Sequence, residues 1–505
     1  MKKIIAPLLL GAALSSAFGA DDSLKQEIEA LKVQMAELKS AQSKLNVDAL
    51  RAQVNEIKAH DSGDNVKFNI DFRTSYDALE YKLNGVKNPS NGYTAGDQKN
   101  GIWANKLILG MSAQPADNLV FKGALGAYKM FGNNSATGAN PFQNMDWYSS
   151  ETPDDSTIRL KEAYFLYFGD IGDVPYTASF GRRPSVDGFL TNLRADNENP
   201  ASPIGHNINM EFDGASFKFD MDKVTGIAGM YFKLCLGRGN TNADSKYAAF
   251  DNFNGTVPLQ NFGNLGYAQT SLNAPNMDLA GLIWQLFDNG QYKVMTNYFK
   301  GWNMMGANFS NLTATTVNTN LVDVGDLTGG ALSFQVNGIG DGISDFLDDT
   351  IFFASYAFSK TDPKGTHGVL TNTGIVSMSE MLGSANKETG TSLYTGVQVP
   401  GIMKGQRLGL EYNHGSKYWR SFTYGEDSLI GSKLAARGDA YEVYYTLPIV
   451  GKNLTAQLSY VYINYDYTGS DMFFDGTTGG ANDVKTTPNA VESASNIRAS
   501  LRYRY

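Results

Sequence analysis

The chain has 505 residues, among them 53 Gly, 27 Tyr, 28 Phe, 15 Pro and one Cys, with 18% charged residues and a net charge of −9. With a mean hydropathy of −0.29, this composition excludes both a disordered polyelectrolyte and a polytopic helical membrane protein. A lone Cys235 rules out an intrachain disulfide framework and any cysteine-cluster metal site, and the acidic balance argues against a nucleic-acid partner.

Met1, Lys2 and Lys3 form a cationic start, Ile4 to Leu14 an apolar core, and Ser15 to Gly19 a small-residue run. This is the pattern of a secretory signal peptide over residues 1–19. Cleavage after Gly19 places small side chains at both recognition positions, whereas cleavage after Ala20 would place Phe18 in one of them. Loss of Lys2 and Lys3 would take the net charge to −11. No later stretch approaches the roughly 18 consecutive apolar residues of a membrane helix.

Residues 20–60 read as a coiled-coil helix. Leu24, Ile28, Leu31, Met35, Leu38, Gln42 and Leu45 recur at alternating intervals of four and three residues, with Lys25, Lys32 and Lys39 beside the seam. Val47, Leu50, Val54 and Ile57 continue in a shifted register, which implies a bend near Asn46 to Asp48. Such an arm would reach about 55 Å. It serves either as a periplasmic oligomerisation stalk or cell-wall spacer, or as an amphipathic helix packed on the body. The narrow seam suits a partner helix better than a core.

From residue 65 to 505 the period changes to two. Ile497, Ala499, Leu501, Tyr503 and Tyr505 alternate with Arg498, Ser500, Arg502 and Arg504, and Leu454 to Tyr462 and Arg407 to Asn413 behave alike. The spacing predicts sixteen strands, starting near residues 66, 103, 118, 157, 175, 206, 224, 277, 290, 327, 350, 392, 405, 437, 453 and 495. Seven short links alternate with eight long polar ones, at 78–102, 132–156, 184–205, 237–276, 301–326, 361–391, 415–436 and 468–494. Strict alternation puts the short turns at one end and the long loops at the other, as in an all-β transmembrane antiparallel barrel of the bacterial outer membrane. A double sandwich or propeller has no reason to segregate its loops in this way. Aromatic residues at strand ends, such as Tyr164, Phe165, Tyr167 and Phe168, suit the lipid interface.

In a barrel, strand parity gives each charge a direction. The inward set comprises Lys67, Arg73, Lys106, Lys122, Arg159, Lys161, Lys293, Arg407, Arg498, Arg502 and Arg504 against Asp71, Glu211, Asp213, Glu411 and Glu442. Such a cationic wall implies anion preference in a conducting pore, unless the charges pair across neighbouring strands. The segment Phe180 to Pro200 carries Arg182, Arg183, Asp187, Arg194, Asp196 and Glu198, and is either an inward-folded charged constriction or a solvated external loop. Arg159, Lys161, Arg182, Arg183, Lys122, Lys293, Arg407, Glu411, Glu442, Arg498 and Arg502 are therefore the candidate lumen and selectivity residues. His206 and His414 fall at strand ends nearly opposite one another, too far apart to share a metal unless loops bridge them. No metal or cofactor is expected. No GxSxG elbow, HExxH helix or P-loop points to an enzyme.

The segments YNHGSKYW (Tyr412 to Trp419), RGDAYEVYY (Arg437 to Tyr445), FGRRPSVDG (Phe180 to Gly188) and SPIGHNINMEFDGAS (Ser202 to Ser216) resemble an outer-membrane β-barrel family catalogued as a domain of unknown function in epsilon-class Gram-negative bacteria. The resemblance implies a signal, a short coil and a large porin-like barrel, and assigns no functional residues. The expected function is passive diffusion of small hydrophilic solutes, with outer-membrane lipid around the barrel and a homo-oligomer, a trimer being compatible, held by the coil. Peptidoglycan is a further partner for the coil. The competing expectation is a surface adhesin or envelope tether that works through its long loops.

Overall fold

The computed structural model describes residues 66–505, apart from residues 90, 132–151, 155, 242–275, 309–319, 341, 365–369, 372–373, 376–378, 385 and 471–479. The expected signal peptide and coil lie outside the described residues.

Sixteen long antiparallel strands form one closed barrel. They are β1 (Lys67–Leu83), β2 (Gln98–Ala116), β3 (Leu119–Met130), β4 (Arg159–Ile171), β5 (Val174–Arg183), β6 (Phe212–Asp220), β7 (Tyr231–Asn240) and β8 (Met277–Asp288). The second half comprises β9 (Tyr292–Asn308), β10 (Asn320–Asn337), β11 (Ile351–Pro363), β12 (Thr389–Pro400), β13 (Arg407–Gly415), β14 (Gly438–Val450), β15 (Leu454–Tyr465) and β16 (Val491–Arg504). Each pairs with its sequence neighbours, and β1 closes the ring on β16, with Asp71 opposite Arg504 and Ala78 opposite Ile497. The Tyr505 and Ile70 backbones exchange two hydrogen bonds of 2.9 Å. Closure leaves no open edge, so every ladder group finds a partner without water.

The alternating side chains explain why this sheet closes. Along β16, Ile497, Ala499, Leu501 and Tyr503 are exposed on the outside, whereas Asn496, Arg498 and Arg502 turn inward. The same outer face carries Phe68, Ile70, Tyr76, Leu332, Phe352, Tyr356, Leu393 and Leu458, all exposed. An apolar surface continuous around a closed barrel is stable only in lipid. No described helix is long and apolar enough to cross a membrane.

Most strand starts fall within a few residues of those expected. The sixth and seventh strands start at 212 and 231 rather than near 206 and 224. His206 to Met210 alternate like a strand, but they are the buried return of a loop inside the barrel. Residues 222–225 form one helical turn ahead of β7. β10 starts at 320 rather than near 327.

Residues 184–211, between β5 and β6, and residues 416–437, between β13 and β14, fold into the lumen from the long-loop side. Leu190, Ile204 and Phe189 of the first and Trp419 and Leu434 of the second pack on inward Met295, Ala331, Phe353 and Tyr394. Ile208 and Met210 join Phe422 against Leu279, Phe299 and Leu327, and Ile430 and Ala436 meet Ala440 and Ile463. Among the described residues the core therefore lies inside the barrel, between its wall and these loops, with Met381 and Leu382 of the β11–β12 connection and Val484 of the β15–β16 connection joining it.

Candidate functional site

The loops divide the lumen and leave between them and the wall a polar cavity of about 340 Å³. Its wall side is basic. Arg73 of β1, Lys106 of β2, Lys161 of β4, and Arg498 and Arg502 of β16 all face it. The loop side is mostly acidic, with Asp187, Asp196, Glu211, Glu426 and Asp427, and Arg194 as its cation. Asp71, Glu162 and Glu442 complete a lining of six cations and eight carboxylates.

The charges meet in pairs. Asp427 accepts from Arg73 Nη1 at 2.6 Å and Nη2 at 3.1 Å, from Lys106 Nζ at 3.1 Å and from Arg498 Nη1 at 3.2 Å. One loop carboxylate thus ties together three neighbouring strands across the seam where the barrel closes. Burial opposes its charge, but Arg73, Lys106 and Arg498 outweigh this and hold the Asp427 carboxyl well below the usual carboxylate range. Arg498 Nε also donates to Asp77 at 2.6 Å, and Arg502 Nε to Asp71 at 2.8 Å. Arg502 Nη1 reaches the Ala195 carbonyl at 2.6 Å and so fixes the other loop to the same seam.

A second cluster lies where the two loops meet. Arg194 pairs with Glu411 at 3.2 Å and with Glu426, while Lys433 is held between Glu411 and Glu442. Burial pushes the Glu426 carboxyl upward and outweighs Arg194 and Lys433. His206 sits between the Tyr394 and Trp419 rings, its two ring nitrogens 2.8 and 2.9 Å from the Ser355 and Ser392 hydroxyls. Its burial pushes it down to about 3, so it is neutral near pH 7.

The structure brings Lys161, Glu442, Arg498 and Arg502 together at the cavity, with Glu411 just behind it. Lys161 pairs with Glu211 at 2.6 Å. The others are dispersed. Arg159 lies 3.6 Å from Asp154, Lys293 bridges Asp288 at 3.2 Å and the Phe189 ring, and Arg407 donates to the Asp349 carbonyl at 3.1 Å. Lys122, near the short-turn end of β3, is exposed. Arg182 is buried, because Gly181, at φ +117°, breaks the strict alternation of β5, and its Nε donates to the Lys161 carbonyl at 3.1 Å. Arg183 turns toward an apolar recess away from the cavity.

Asp213, expected inside, lies on the outer face, its side chain 61% exposed, because Ser216 takes the inward parity of β6. His206 does reach the β13 wall through the loop, but beside Asn413. His414 lies on the outer side of the same strand, exposed, with Nδ1 2.9 Å from Asp439. Among the described residues no group of three or more His, Cys, Asp or Glu is placed to hold a metal. Glu426, Asp427 and Lys433 were absent from the strand-parity set because they sit in a loop. Their signal was the apolar content of that loop, Leu429, Ile430, Leu434, Ala435 and Ala436, which a solvated external loop would not carry.

The fold and cavity define a porin-like β-barrel of the outer membrane, narrowed by its own loops. The chain belongs to the family described as protein of unknown function DUF3373, whose model matches residues 97–505. No curated protein sequence matches it. It is similar in structure to OprB of Pseudomonas putida, at 12% identity over 89% of this chain and 96% of that one, with a TM-score of 0.44. OmpT of Vibrio cholerae in its trimer form is 12% identical over 87% and 99% of the two chains, with a TM-score of 0.42. Salmonella typhi OmpF in complex with daunomycin is 9% identical over 88% and 99%, with a TM-score of 0.43.

Proposed function

We propose that this protein is a non-enzymatic channel for passive diffusion of small hydrophilic solutes across the outer membrane. The observation that carries this reading is the charged cavity at the narrowed part of a sixteen-stranded lumen, with cations on the wall and most carboxylates on the loops. A polar cavity of about 340 Å³ suits small hydrophilic solutes.

The wall alone favours anions, but the loop carboxylates balance it at the cavity. Anion preference then rests on the short-turn mouth, where Lys67 and Lys122 form no ion pair among the described residues. The opposed rows of charge suit solutes that carry both signs or strong dipoles. The coil of residues 20–60 projects into the periplasm in this reading, where it supports a homo-oligomer, such as a trimer, or contacts peptidoglycan. Swelling of proteoliposomes in isotonic sugars tests the channel. Uptake should fall steeply between a pentose and a trisaccharide, and absence of swelling with correctly folded protein would refute it.

A further inference from the structure

The outer face of the barrel changes character toward its long-loop end. Along β11 the exposed apolar side chains Phe352, Tyr356 and Phe358 give way to Lys360 and Asp362 on the same face. Cations at this boundary stand beside carboxylates. Lys99 pairs with Glu80 at 3.0 Å, Arg238 with Asp278 at 2.7 Å and Lys387 with Asp362 at 2.8 Å. Lys360 differs, because it is exposed and forms no ion pair among the described residues. Two strands away on the same outer face, Lys300 reaches Asp326 at 3.2 Å and lies over the Trp302 ring. With Asp362 taken up by Lys387 and Asp326 by Lys300, the charge of Lys360 is left over.

The register sets these groups in three successive outward rows across β9, β10 and β11. Lys300, Thr328 and Lys360 form the first row, Tyr298, Gly330 and Phe358 the second, and Thr296, Leu332 and Tyr356 the third. Tyr298, Leu332, Tyr356 and Phe358 are all exposed. Two lysines thus flank a threonine at a separation of two strand spacings, about 10 Å. Their long stems let both ammonium groups reach one phosphate above Thr328. Directly below lies the apolar surface that faces lipid, with an aromatic side chain under each lysine. Cations at that boundary attract anionic headgroups, and the rows beneath receive the attached hydrocarbon.

We propose that the outer face of β9 to β11 binds an anionic, phosphate-bearing lipid of the leaflet on the long-loop side. Its phosphate lies between Lys300 and Lys360, and an acyl chain runs down along Tyr298, Phe358, Leu332 and Tyr356. A soluble phosphate matches the lysines but leaves the apolar rows uncovered. A zwitterionic lipid covers those rows but brings its own cation to the lysines. The site lies outside the lumen and does not depend on conduction, so it stands or falls separately from the channel reading.

Binding of dioleoylphosphatidylglycerol and dioleoylphosphatidylcholine to the folded full-length protein in detergent, followed by native mass spectrometry, tests the site. Phosphatidylglycerol should bind about 10-fold more tightly than phosphatidylcholine, and sodium glycerol phosphate at equal concentration should not displace it. Lys300→Gln and Lys360→Gln should each weaken phosphatidylglycerol binding about 5-fold, the worth of one lysine beside an anionic headgroup, and leave phosphatidylcholine unchanged. Lys99→Gln removes an equal charge from β2, eight strands from β10 around the barrel, and should change neither. Equal binding of the two lipids, or a preference that survives both substitutions, would overturn the site. A loss in Lys99→Gln as large as in Lys360→Gln would overturn its location, and displacement by glycerol phosphate would overturn its apolar half. If one glutamine variant fails to fold, the other against Lys99→Gln still decides.

Discussion

Asp427→Asn removes the charge that holds the 416–437 loop to the barrel seam. In the native site one carboxylate faces Arg73, Lys106 and Arg498 at 2.6 to 3.2 Å, with the Arg73, Lys106 and Asp427 side chains 17%, 13% and 19% exposed. Breaking a fully buried pair costs about 3–5 kcal/mol because an uncompensated charge is left behind. With the residual solvent exposure here, the cost is about 2–4 kcal/mol. Asn keeps the shape and one acceptor but takes the carboxylate charge away from Arg73, Lys106 and Arg498, and the cavity gains one net positive charge. Two readouts follow. The unfolding midpoint in urea should fall by the equivalent of about 2–4 kcal/mol, and the reversal potential across a salt gradient should move toward anions. An Asp427→Asn barrel that migrates as folded, with neither its midpoint nor its reversal potential changed, would refute the assignment of Asp427 as the clamp.

Lys433→Met leaves Glu411 and Glu442 with Arg194 as their remaining cation. It should destabilise by about 3–5 kcal/mol and shift selectivity toward cations, opposite in sign to Asp427→Asn, in the same bilayer measurement. Gly390→Ala tests the seating of the loop by sterics alone. A Cβ at Gly390 would lie 2.3 Å from the Trp419 backbone nitrogen and Cα, so the loop must lift, at about 1–3 kcal/mol. Proteolysis next to Lys417 and Arg420 should then accelerate while the barrel band persists. For pH, Asp427 has a lowered value, so its stabilisation is present above the ordinary aspartate range near 4 and is lost only as pH falls through its depressed value. Glu426 is raised, so its contribution is present below the ordinary glutamate range and is lost as pH rises through its raised value. His206 stays neutral down to about 3. Asp427 and His206 keep their charge states between pH 7 and pH 5, and protonation of Glu426 does not weaken the seat, so the loop should stay in place across that window and its release there would contradict the assigned states.

The barrel was legible because its strands obey one rule. A lipid outside and a polar inside force a period of two, and β16 or β15 shows it without interruption. The loops obey no such rule. Residues 206–210 alternate as a strand does, yet their alternation serves packing of Ile208 and Met210 between loop and wall rather than a ladder. The charged segment after β5 left an inward constriction and a solvated external loop equally open in the sequence, and Arg194, Asp187 and Asp196 face the cavity. The second loop escaped notice because its clamp, Asp427, is defined by three cations at distant sequence positions, Arg73, Lys106 and Arg498. Strand parity located those cations but not the carboxylates that neutralise them. Asp213 misled for a different reason, since the inward parity of Ser216, three residues on, sends it outward.

The most direct test of the central claim is single-channel conductance of the folded full-length protein in a planar bilayer, with the reversal potential taken across a salt gradient. The account predicts stepwise openings of weak charge preference that moves toward anions in Asp427→Asn and toward cations in Lys433→Met. Absence of openings from correctly folded protein would contradict it, as would a selectivity that neither substitution moves.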